Sequence, residues 1–405
     1  MASSALNDIK VLDFSSWVVG PLVTKTMADY GATVILVETM KRPSNQRASL
    51  PFKDGKPGIN RGGSFAYINP NKLSCSIDLR HPRGKELAER LVGWADAVVE
   101  NFTPGVMERL GLGYPELVKI NPDIIMLRLS AQGQSGPLSR NKALGLQLNG
   151  LAGFTHFTGF PDREPLSFMF AYSDYIVPFL GTAALCSALD YRKKTGKGQM
   201  LDMSQYESSL QFMAPYLLEC SANGQESGRT GNSDPYASPH GYYACRGEDS
   251  WCSIAVFDDA EWVRFCEALG NPVWTQRDDF ATILGRKQHE TELDGFVGEW
   301  TTGRTAEEAV EVMQKAGIAG GVVKKASEIY DDPQLNERGF FWKMKHSEMD
   351  EFTHMGQPSV LSGTPARPKS PAPCLGEHTE FVCTEILKMT DDEFVDLLLS
   401  GALGL

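Results

Sequence analysis

The first 130 residues alternate short apolar runs with amphipathic stretches. The apolar runs are rich in Val, Ile and Leu and read IKVLDF, TVILVE, SCSIDL, DAVVENF and IIMLRLS. Helical patterns lie between them, for example through TKTMADYG and PRGKELAERLVGWA. Short β-branched runs separated by amphipathic helices predict βαβ units and a mainly parallel sheet, and therefore an α/β fold.

Composition changes twice further along the chain. From residue 221 the passage SANGQESGRTGNSDPYASPHG is polar and rich in Gly, Ser and Asn, which predicts a linker. The strand-like WCSIAV and the helical DDAEWVRFCEALG follow it, and GTPARPKSPAPCLG then forms a Pro-rich arm. We predict a first domain over 1–220, a linker with a smaller α/β domain over 221–325, and an irregular remainder over 326–405.

Composition and charge exclude several classes of partner. The 405 residues are 42% hydrophobic and 22% charged, as in globular proteins, and the formal net charge is −12. Because phosphate binding needs a basic field, this charge argues against a nucleic-acid or anionic-membrane surface. The eight cysteines form no CxxC pair and no zinc-type cluster, so we expect reduced thiols and no metal site.

No targeting or membrane-spanning segment is expected. The start MASSALNDIKVLDF lacks the basic and apolar regions of a signal peptide. The weakly polar passage 175–189 is too short to span a bilayer and contains Pro178. We expect a cytoplasmic protein that binds neither nucleic acid nor membrane.

Familiar nucleotide and hydrolase motifs are absent. The chain has no GxGxxG, GxxxxGK[ST], GxSxG or HExxH, and QGQSGP at 132–137 lacks the dinucleotide spacing. The passage VVENFTPGVMERLG at 98–111 reads as a strand, a polar turn and a helix start. It is either an ordinary loop or a ligand loop, since ligands bind at the carboxyl ends of parallel strands. In the second case Asn101 and Arg109 are placed to contact a phosphate or an adenine-bearing group.

Asp174 is a single carboxylate inside the apolar passage PLSFMFAYSDYIVPFLGTAALCSAL. A helical run that ends near Lys194 follows it, so its position predicts a helix N-cap. A carboxylate held at a helix start in an apolar pocket is also what a carboxylate nucleophile requires. The residues by themselves leave both interpretations open.

Together these passages resemble the class III CoA-transferases, the family of formyl-CoA transferase, carnitine CoA-transferase and α-methylacyl-CoA racemase. The resemblance covers nearly the whole chain. It rests on four blocks in family order: VLDFSSWVVGPLVTKTMADYGATVILVE, NKLSCSIDLRHPRGKELAERLVGWADAVVENFTPGVMERLGLGY, AYSDYIVPFLGTAALCSALDYRKKTGKGQMLDMSQYE, and DDPQLNERGFFW with APCLGEHT.

The resemblance implies a fold and an assembly. The large domain would be Rossmann-like and made from the N-terminal half and the C-terminal segment, with the small α/β domain between them. Two subunits would interlock, either as a homodimer or as a hetero-oligomer with a related subunit.

The resemblance also implies site residues. Asp174 would be the catalytic nucleophile, and no cofactor would be bound permanently because CoA thioesters are substrates. The matching CoA-contact positions are Ser16, Trp17, Val19, Ile77, Arg80, Asn101, Phe102 and Arg109, with Arg140 or Lys142 as a further candidate. Ser16 stands where formyl-CoA transferase has His, Thr39 stands where it has Arg, and its glycine-rich loop is missing. These departures disfavour oxalate as the acceptor.

The expected reaction moves CoA from a donor, succinyl-CoA, to a carboxylic acid through an aspartyl anhydride and an aspartyl-CoA thioester. The segment LAGFTHFTGFPDREPLSFMFAYSDY around Asp174 looks like the subgroup that includes benzylsuccinate CoA-transferase, which implies an aromatic or branched acid as the acceptor. Its aromatic residues are Phe154, Phe157, Phe160, Phe168, Phe170, Tyr172 and Tyr175.

Two alternatives stay open. A 2-methylacyl-CoA racemase needs a second acid/base group, and RNKALGLQLNGLAG lacks the His-Asp pair of the racemases. A non-catalytic partner subunit would need no nucleophile.

Overall fold

A computed structural model describes residues 4–167 and 170–404. The chain forms two compact units. The first contains the chain up to Thr155, Ser167–Gln225 and the chain from Pro333 onward, and the second contains His156–Leu166 and Glu226–Asp332. The predicted domain boundaries after residues 220 and 325 stay predictions. The helix that precedes the second unit continues past residue 220 to Asn223.

A six-stranded parallel sheet forms the centre of the first unit. Its strands are β1 (Lys10–Asp13), β2 (Thr33–Glu38), β3 (Leu73–Ser76), β4 (Ala97–Glu100), β5 (Ile125–Ser130) and β6 (Met200–Ser204). The spatial order is β3-β2-β1-β4-β5-β6, which confirms the predicted α/β fold. Successive strands are added toward one edge of the sheet from β1 to β3 and toward the other edge from β4 to β6. Parallel sheets bind ligands at the carboxyl ends of the strands where the strand order reverses in this way, the switch point between β1 and β4.

Helices cover both faces of this sheet. In chain order, the helices up to residue 223 are α1 (Val19–Asp29), α2 (Gly63–Ile68), α3 (Pro82–Trp94), α4 (Val106–Arg109), α5 (Tyr114–Ile120), α6 (Gly145–Leu151), α7 (Phe154–Phe157), α8 (Tyr172–Thr195), α9 (Gln205–Leu210) and α10 (Ala214–Asn223). Successive strand side chains point to opposite faces. Leu12 and Val98 therefore belong to one buried cluster, and Val11 and Val99 to the other.

The second unit contains a smaller antiparallel sheet. Its strands are β7 (His240–Ala244), β8 (Trp251–Ala255) and β9 (Ala319–Val322), and its helices are α11 (Asp259–Ala268), α12 (Ile283–Gln288), α13 (Glu290–Thr302), α14 (Ala306–Lys315) and α15 (Ala326–Tyr330). Trp262, Phe265 and Phe280 lie in its buried core.

The C-terminal segment returns to the first unit. It contains α16 (Pro333–Glu337), the hairpin of β10 (Phe341–His346) and β11 (Asp350–Met355), α17 (Thr379–Phe381), a π-helical turn (Val382–Ile386) and α18 (Asp391–Leu399). Val382, Cys383 and Leu403 are buried in the same cluster as Leu12. Ser76 Oγ donates to the Leu403 carbonyl at 2.6 Å. The last residues described therefore complete the core of the parallel sheet.

Candidate active site

Three neighbouring strands of the parallel sheet end on buried carboxylates. Asp13 ends β1, Glu38 ends β2 and Glu100 ends β4. Each has a buried cation beside it: Lys72 Nζ lies 3.2 Å from Asp13 Oδ2, Arg47 Nη2 lies 2.6 Å from Glu38 Oε1, and Arg128 Nε lies 2.7 Å from Glu100 Oε1. Removing one partner of such a pair leaves an uncompensated buried charge. These acids therefore hold the strand ends in place and are already engaged by their partners.

The turn from β1 into α1 crosses the switch point of the sheet. The Ser15 N–H donates to Asp13 Oδ1 at 2.9 Å, which ties the turn to its own strand. Asn101, directly after β4, accepts the Ser16 N–H at 2.8 Å and donates to the Ser16 carbonyl at 2.6 Å. Directly after these two anchored residues, Trp17 adopts a left-handed backbone conformation, with φ 63°, and its side chain is 44% exposed. Such a conformation costs energy in a residue other than glycine and persists only where neighbouring contacts impose it.

A cavity of about 630 Å³ opens at the carboxyl ends of β1 to β4. Its walls come from the loops after these four strands, and they include the predicted residues Ser16, Ile77, Arg80 and Phe102. The lining also carries Lys41 and Arg42, which sequence analysis missed. The signal for them was the basic pair two residues after TVILVE, on the loop that follows β2.

The cations of this cavity differ in their surroundings. Lys41 Nζ lies 2.7 Å from Asp78 Oδ2, and this contact holds the pKa of the Asp78 carboxyl below its usual value. Within the described ranges, neither Arg42 nor Arg80 has an ion-pair partner on its guanidinium group. Two guanidinium groups without partners in a cleft at the switch point suit an anionic ligand such as a phosphate.

Other predicted binding residues lie elsewhere. Val19 is 3% exposed and packs in the core between α1 and the sheet, so only its backbone can face a ligand. Arg109, Arg140 and Lys142 are exposed and lie outside the cavity lining. The side-chain amide of Asn101 is occupied by the Ser16 backbone, so in this structure it positions a residue of the lining.

Asp174 lies in the first turn of α8. The helix begins at Tyr172 after Ala171, so the predicted N-cap role is wrong: Asp174 is the third helical residue. Burial raises the pKa of its carboxyl from 3.8 to about 6. Within residues 4–167 and 170–404, no donor hydrogen-bonds to this carboxylate and no cation pairs with it. Asp174 is therefore an oriented, poorly solvated carboxylate.

Tyr175 connects the start of α8 to the β1–α1 turn. Its ring packs against the small buried cluster of Val18, Leu22 and Ile68. Val18 follows Ser16 and Trp17, and Ser16 lines the cavity. The turn from Ser16 to Val18 thus touches the cavity on one side and the neighbour of Asp174 on the other.

The aromatic residues around Asp174 divide into three groups. Phe154, Phe170, Tyr172 and Tyr175 belong to the first unit, where Phe154 meets Tyr172 edge to face at 5.3 Å and Phe170 meets Tyr175 at 5.2 Å. Phe157 and Phe160 belong to the second unit. Phe168 lies outside the described residues.

The described residues contain neither a membrane-spanning helix nor a cluster of metal-ligand side chains. No helix in residues 4–167 and 170–404 has the length and apolar character needed to cross a bilayer. In the same residues, no three His, Cys, Asp or Glu side chains group as metal ligands would.

The strand order and the cavity at the switch point are those of α/β proteins that bind nucleotide-containing ligands. The model of CoA-transferase family III matches residues 6–379. The chain belongs to this family and is a CoA-transferase, an enzyme whose substrates are CoA thioesters.

Individual relatives agree with this assignment. The chain is 32% identical to succinyl-CoA–D-citramalate CoA-transferase of Chloroflexus aurantiacus over 97% of this chain and 96% of that protein. It is 28% identical to the succinyl-CoA–L-malate CoA-transferase beta subunit of the same organism, over 97% and 96%. A CAIB/BAIF family protein from Brucella suis has a solved structure that superposes with a TM-score of 0.86 at 28% identity, covering 95% of this chain and all of that one.

Proposed function

We propose that Asp174 is the nucleophile of a transfer of CoA from succinyl-CoA to a dicarboxylic acid. The observation that carries this proposal is the isolated carboxylate at the start of α8, with a pKa of about 6. At neutral pH such a group is ionised, and burial leaves it poorly solvated, which favours attack on a thioester carbonyl.

The reaction proceeds by covalent steps on this carboxylate. An Asp174 oxygen attacks the donor carbonyl, the C–S bond breaks, and an aspartyl acyl anhydride and the CoA thiolate form. The thiolate then attacks the aspartyl carbonyl, which releases the donor acid as a carboxylate and leaves an aspartyl-CoA thioester. The acceptor carboxylate attacks this thioester, giving a second anhydride and the thiolate. Attack of the thiolate on the acceptor carbonyl releases the new acyl-CoA and restores Asp174.

The cavity at the switch point would bind the nucleotide end of CoA. Arg42 and Arg80 would pair with its phosphates, since their guanidinium groups are free within the described chain. Ser16, Ile77 and Phe102 would form the wall. Trp17 and the Val19 backbone follow Ser16 along the chain and would be further contacts outside the lining. Asn101 would keep the Ser16 backbone in position. Arg109, Arg140 and Lys142 would be outer contacts that meet only the ends of the ligand.

Relatives support the donor more directly than the acceptor. Two of them are named for succinyl-CoA, with D-citramalate and L-malate as acceptors. The acceptor of this chain would share two carboxylates with these acids and carry an aromatic substituent, as benzylsuccinate does. The edge-to-face pair of Phe170 and Tyr175, next to Asp174 and partly open to solvent, supports an aromatic group there.

The assembly would be an interlocked dimer in the cytoplasm. Either a homodimer or a hetero-oligomer with a related subunit fits, and one relative is named as a beta subunit.

Intact-protein mass spectrometry after incubation with succinyl-CoA tests the nucleophile. The native chain should gain a CoA-sized adduct, or a hydroxamate at Asp174 when hydroxylamine is present. Asp174→Asn should gain neither. Asp190→Asn is the matched control, because Asp190 lies on the same helix but is exposed and pairs with Lys194. Labelling that survives Asp174→Asn would overturn the proposal, and no labelling of the native chain would favour a non-catalytic subunit.

A further inference from the structure

Helix α6 packs against the first turn of α8 through two residues on one face. Gly145 and Asn149 are four positions apart on α6, so they lie one above the other on the same side of the helix. Both face the segment from Phe170 to Asp174. Neither residue has a role in the proposed covalent steps on Asp174.

Gly145 leaves room for the Asp174 carboxylate. A Cβ atom at position 145 would lie 2.1 Å from the Ala171 Cβ and 2.8 Å from Asp174 Oδ2. Both separations are far below van der Waals contact. The backbone of Gly145 has no positive φ, so the glycine is required by the close approach and not by its own conformation. The carboxylate thus rests directly against the backbone of α6.

Asn149 ties down the helix start that bears the carboxylate. Its side chain is fully buried. Its Oδ1 accepts the Ser173 N–H at 3.3 Å, and its Nδ2 donates to the Phe170 carbonyl at 3.1 Å. The first N–H groups of a helix have no partner within the helix, and the residue before α8 is Ala171, which has no side chain to cap them. Asn149 therefore supplies from a neighbouring helix the cap that the local sequence lacks.

We propose that Gly145 and Asn149 are positioning residues that together hold the Asp174 carboxylate in its attacking orientation and keep donors away from it. This inference rests on the proposed role of Asp174 as the nucleophile. The side-chain amide of Asn149 makes its hydrogen bonds to the backbone at residues 170 and 173, so it fixes the turn without hydrogen-bonding the carboxylate. Gly145 offers the carboxylate a surface without a side chain. Orientation is thereby fixed while the nucleophile keeps its weak solvation.

The inference predicts a kinetic signature in two variants. In Gly145→Ala the added methyl group collides with Ala171 and Asp174, so the first turn of α8 must shift. A displacement of about 1 Å at a reacting group lowers rates by roughly 100-fold. In Asn149→Ala the helix start loses its cap, and the carboxylate becomes better hydrated. Its labelling should slow, and the pH at which labelling is half-maximal should move from about 6 toward 3.8, the ordinary value.

The experiment is single-turnover labelling by succinyl-CoA from pH 4.5 to 8, with the labelled protein quantified by mass spectrometry. The amount of labelled protein is divided by the amount of folded protein, which a melting curve measures for each variant. Gly150→Ala is the matched control, since Gly150 lies on the same helix and a Cβ there meets nothing within 4 Å. It should label at the native rate. The KM for succinyl-CoA should change less than about threefold in all variants, because the cavity residues are untouched.

The outcomes separate this inference from the function on which it rests. If Asp174→Asn is still labelled, Asp174 is not the nucleophile, and the inference about Gly145 and Asn149 is refuted as well. Labelling that requires Asp174 but proceeds at the native rate and with the native pH dependence in Asn149→Ala would overturn the inference alone. If Gly145→Ala does not fold, Asn149→Ala decides by itself. If a variant only lowers the amount of folded protein and leaves the pH profile of labelling unchanged, the substituted residue has a purely structural role.

Discussion

Replacing Asp174 by Asn is expected to stabilise the folded protein at neutral pH while it removes the proposed nucleophile. Burial raises the pKa of the Asp174 carboxyl, which means that the folded state disfavours the ionised form. Asparagine has nearly the same shape and carries no charge. The substitution therefore removes an unfavourable contribution that the native protein carries at the pH where it would act.

The magnitude follows from the two pKa values. A rise from 3.8 to about 6 corresponds to about 3 kcal/mol against folding at pH 7.5, where the group is ionised in both states. As the pH falls through 6, the folded protein takes up a proton before the unfolded chain does. The unfavourable contribution shrinks to about 1 kcal/mol at pH 4.5 and vanishes below the unfolded pKa.

Urea unfolding of the native chain, Asp174→Asn and Asp190→Asn at pH 7.5 and pH 4.5 measures this effect. Asp174→Asn should raise the free energy of unfolding by up to about 3 kcal/mol at pH 7.5 and by about 1 kcal/mol at pH 4.5. Asp190→Asn should stay within about 0.5 kcal/mol of the native chain, because it breaks only an exposed ion pair with Lys194. An equal gain at both pH values, or no gain at pH 7.5, would refute the reasoning from burial.

Further predictions concern the rate, the cavity and the turn. Labelling of Asp174 by succinyl-CoA should rise about tenfold per pH unit below pH 6 and level off above it, since only the carboxylate attacks; a stopped-flow or quench series that is flat from pH 4.5 to 7 would contradict this. Arg42→Ala and Arg80→Ala should each raise the KM for acyl-CoA roughly tenfold with kcat unchanged, because each removes a charge-assisted contact to phosphate; an unchanged KM in steady-state assays argues against a phosphate site. Asn101→Ala should lower the free energy of unfolding by about 2 kcal/mol, because it leaves both backbone groups of Ser16 without their partner; equal denaturation midpoints would show that the clamp is dispensable.

The strands of the large sheet were predictable because each is a compact apolar run. TVILVE and IIMLRLS appear as β2 and β5 at nearly the expected residues. A parallel strand buried on both faces needs continuous hydrophobicity, and that signal is local. The alternation of strand-like runs with helical patterns then predicted a parallel sheet, although the sequence alone does not show which strands are neighbours.

Features that depend on distant partners were not predictable. Asp174 has the pattern of an N-cap, yet the helix start is capped by Asn149, which lies 24 residues earlier than Ser173. Val19 matched a binding position, but as the first residue of α1 its side chain turns toward the sheet. Lys41 and Arg42 carry no periodicity, so only the folded loop shows that they line the cavity.

The return of the C-terminal segment sets an order of events during synthesis. Val382, Cys383 and Leu403 fill the same core as Leu12, and the Asp78 N–H donates to the Ala402 carbonyl at 2.8 Å. Ribosomes add roughly 5–20 residues per second, N-terminus first. Although β1 is synthesised first, one side of the core of the parallel sheet therefore stays uncovered until the C-terminal segment has been synthesised. The second unit lies between these segments in the sequence. All of its strands are therefore synthesised before the core of the first unit can be completed.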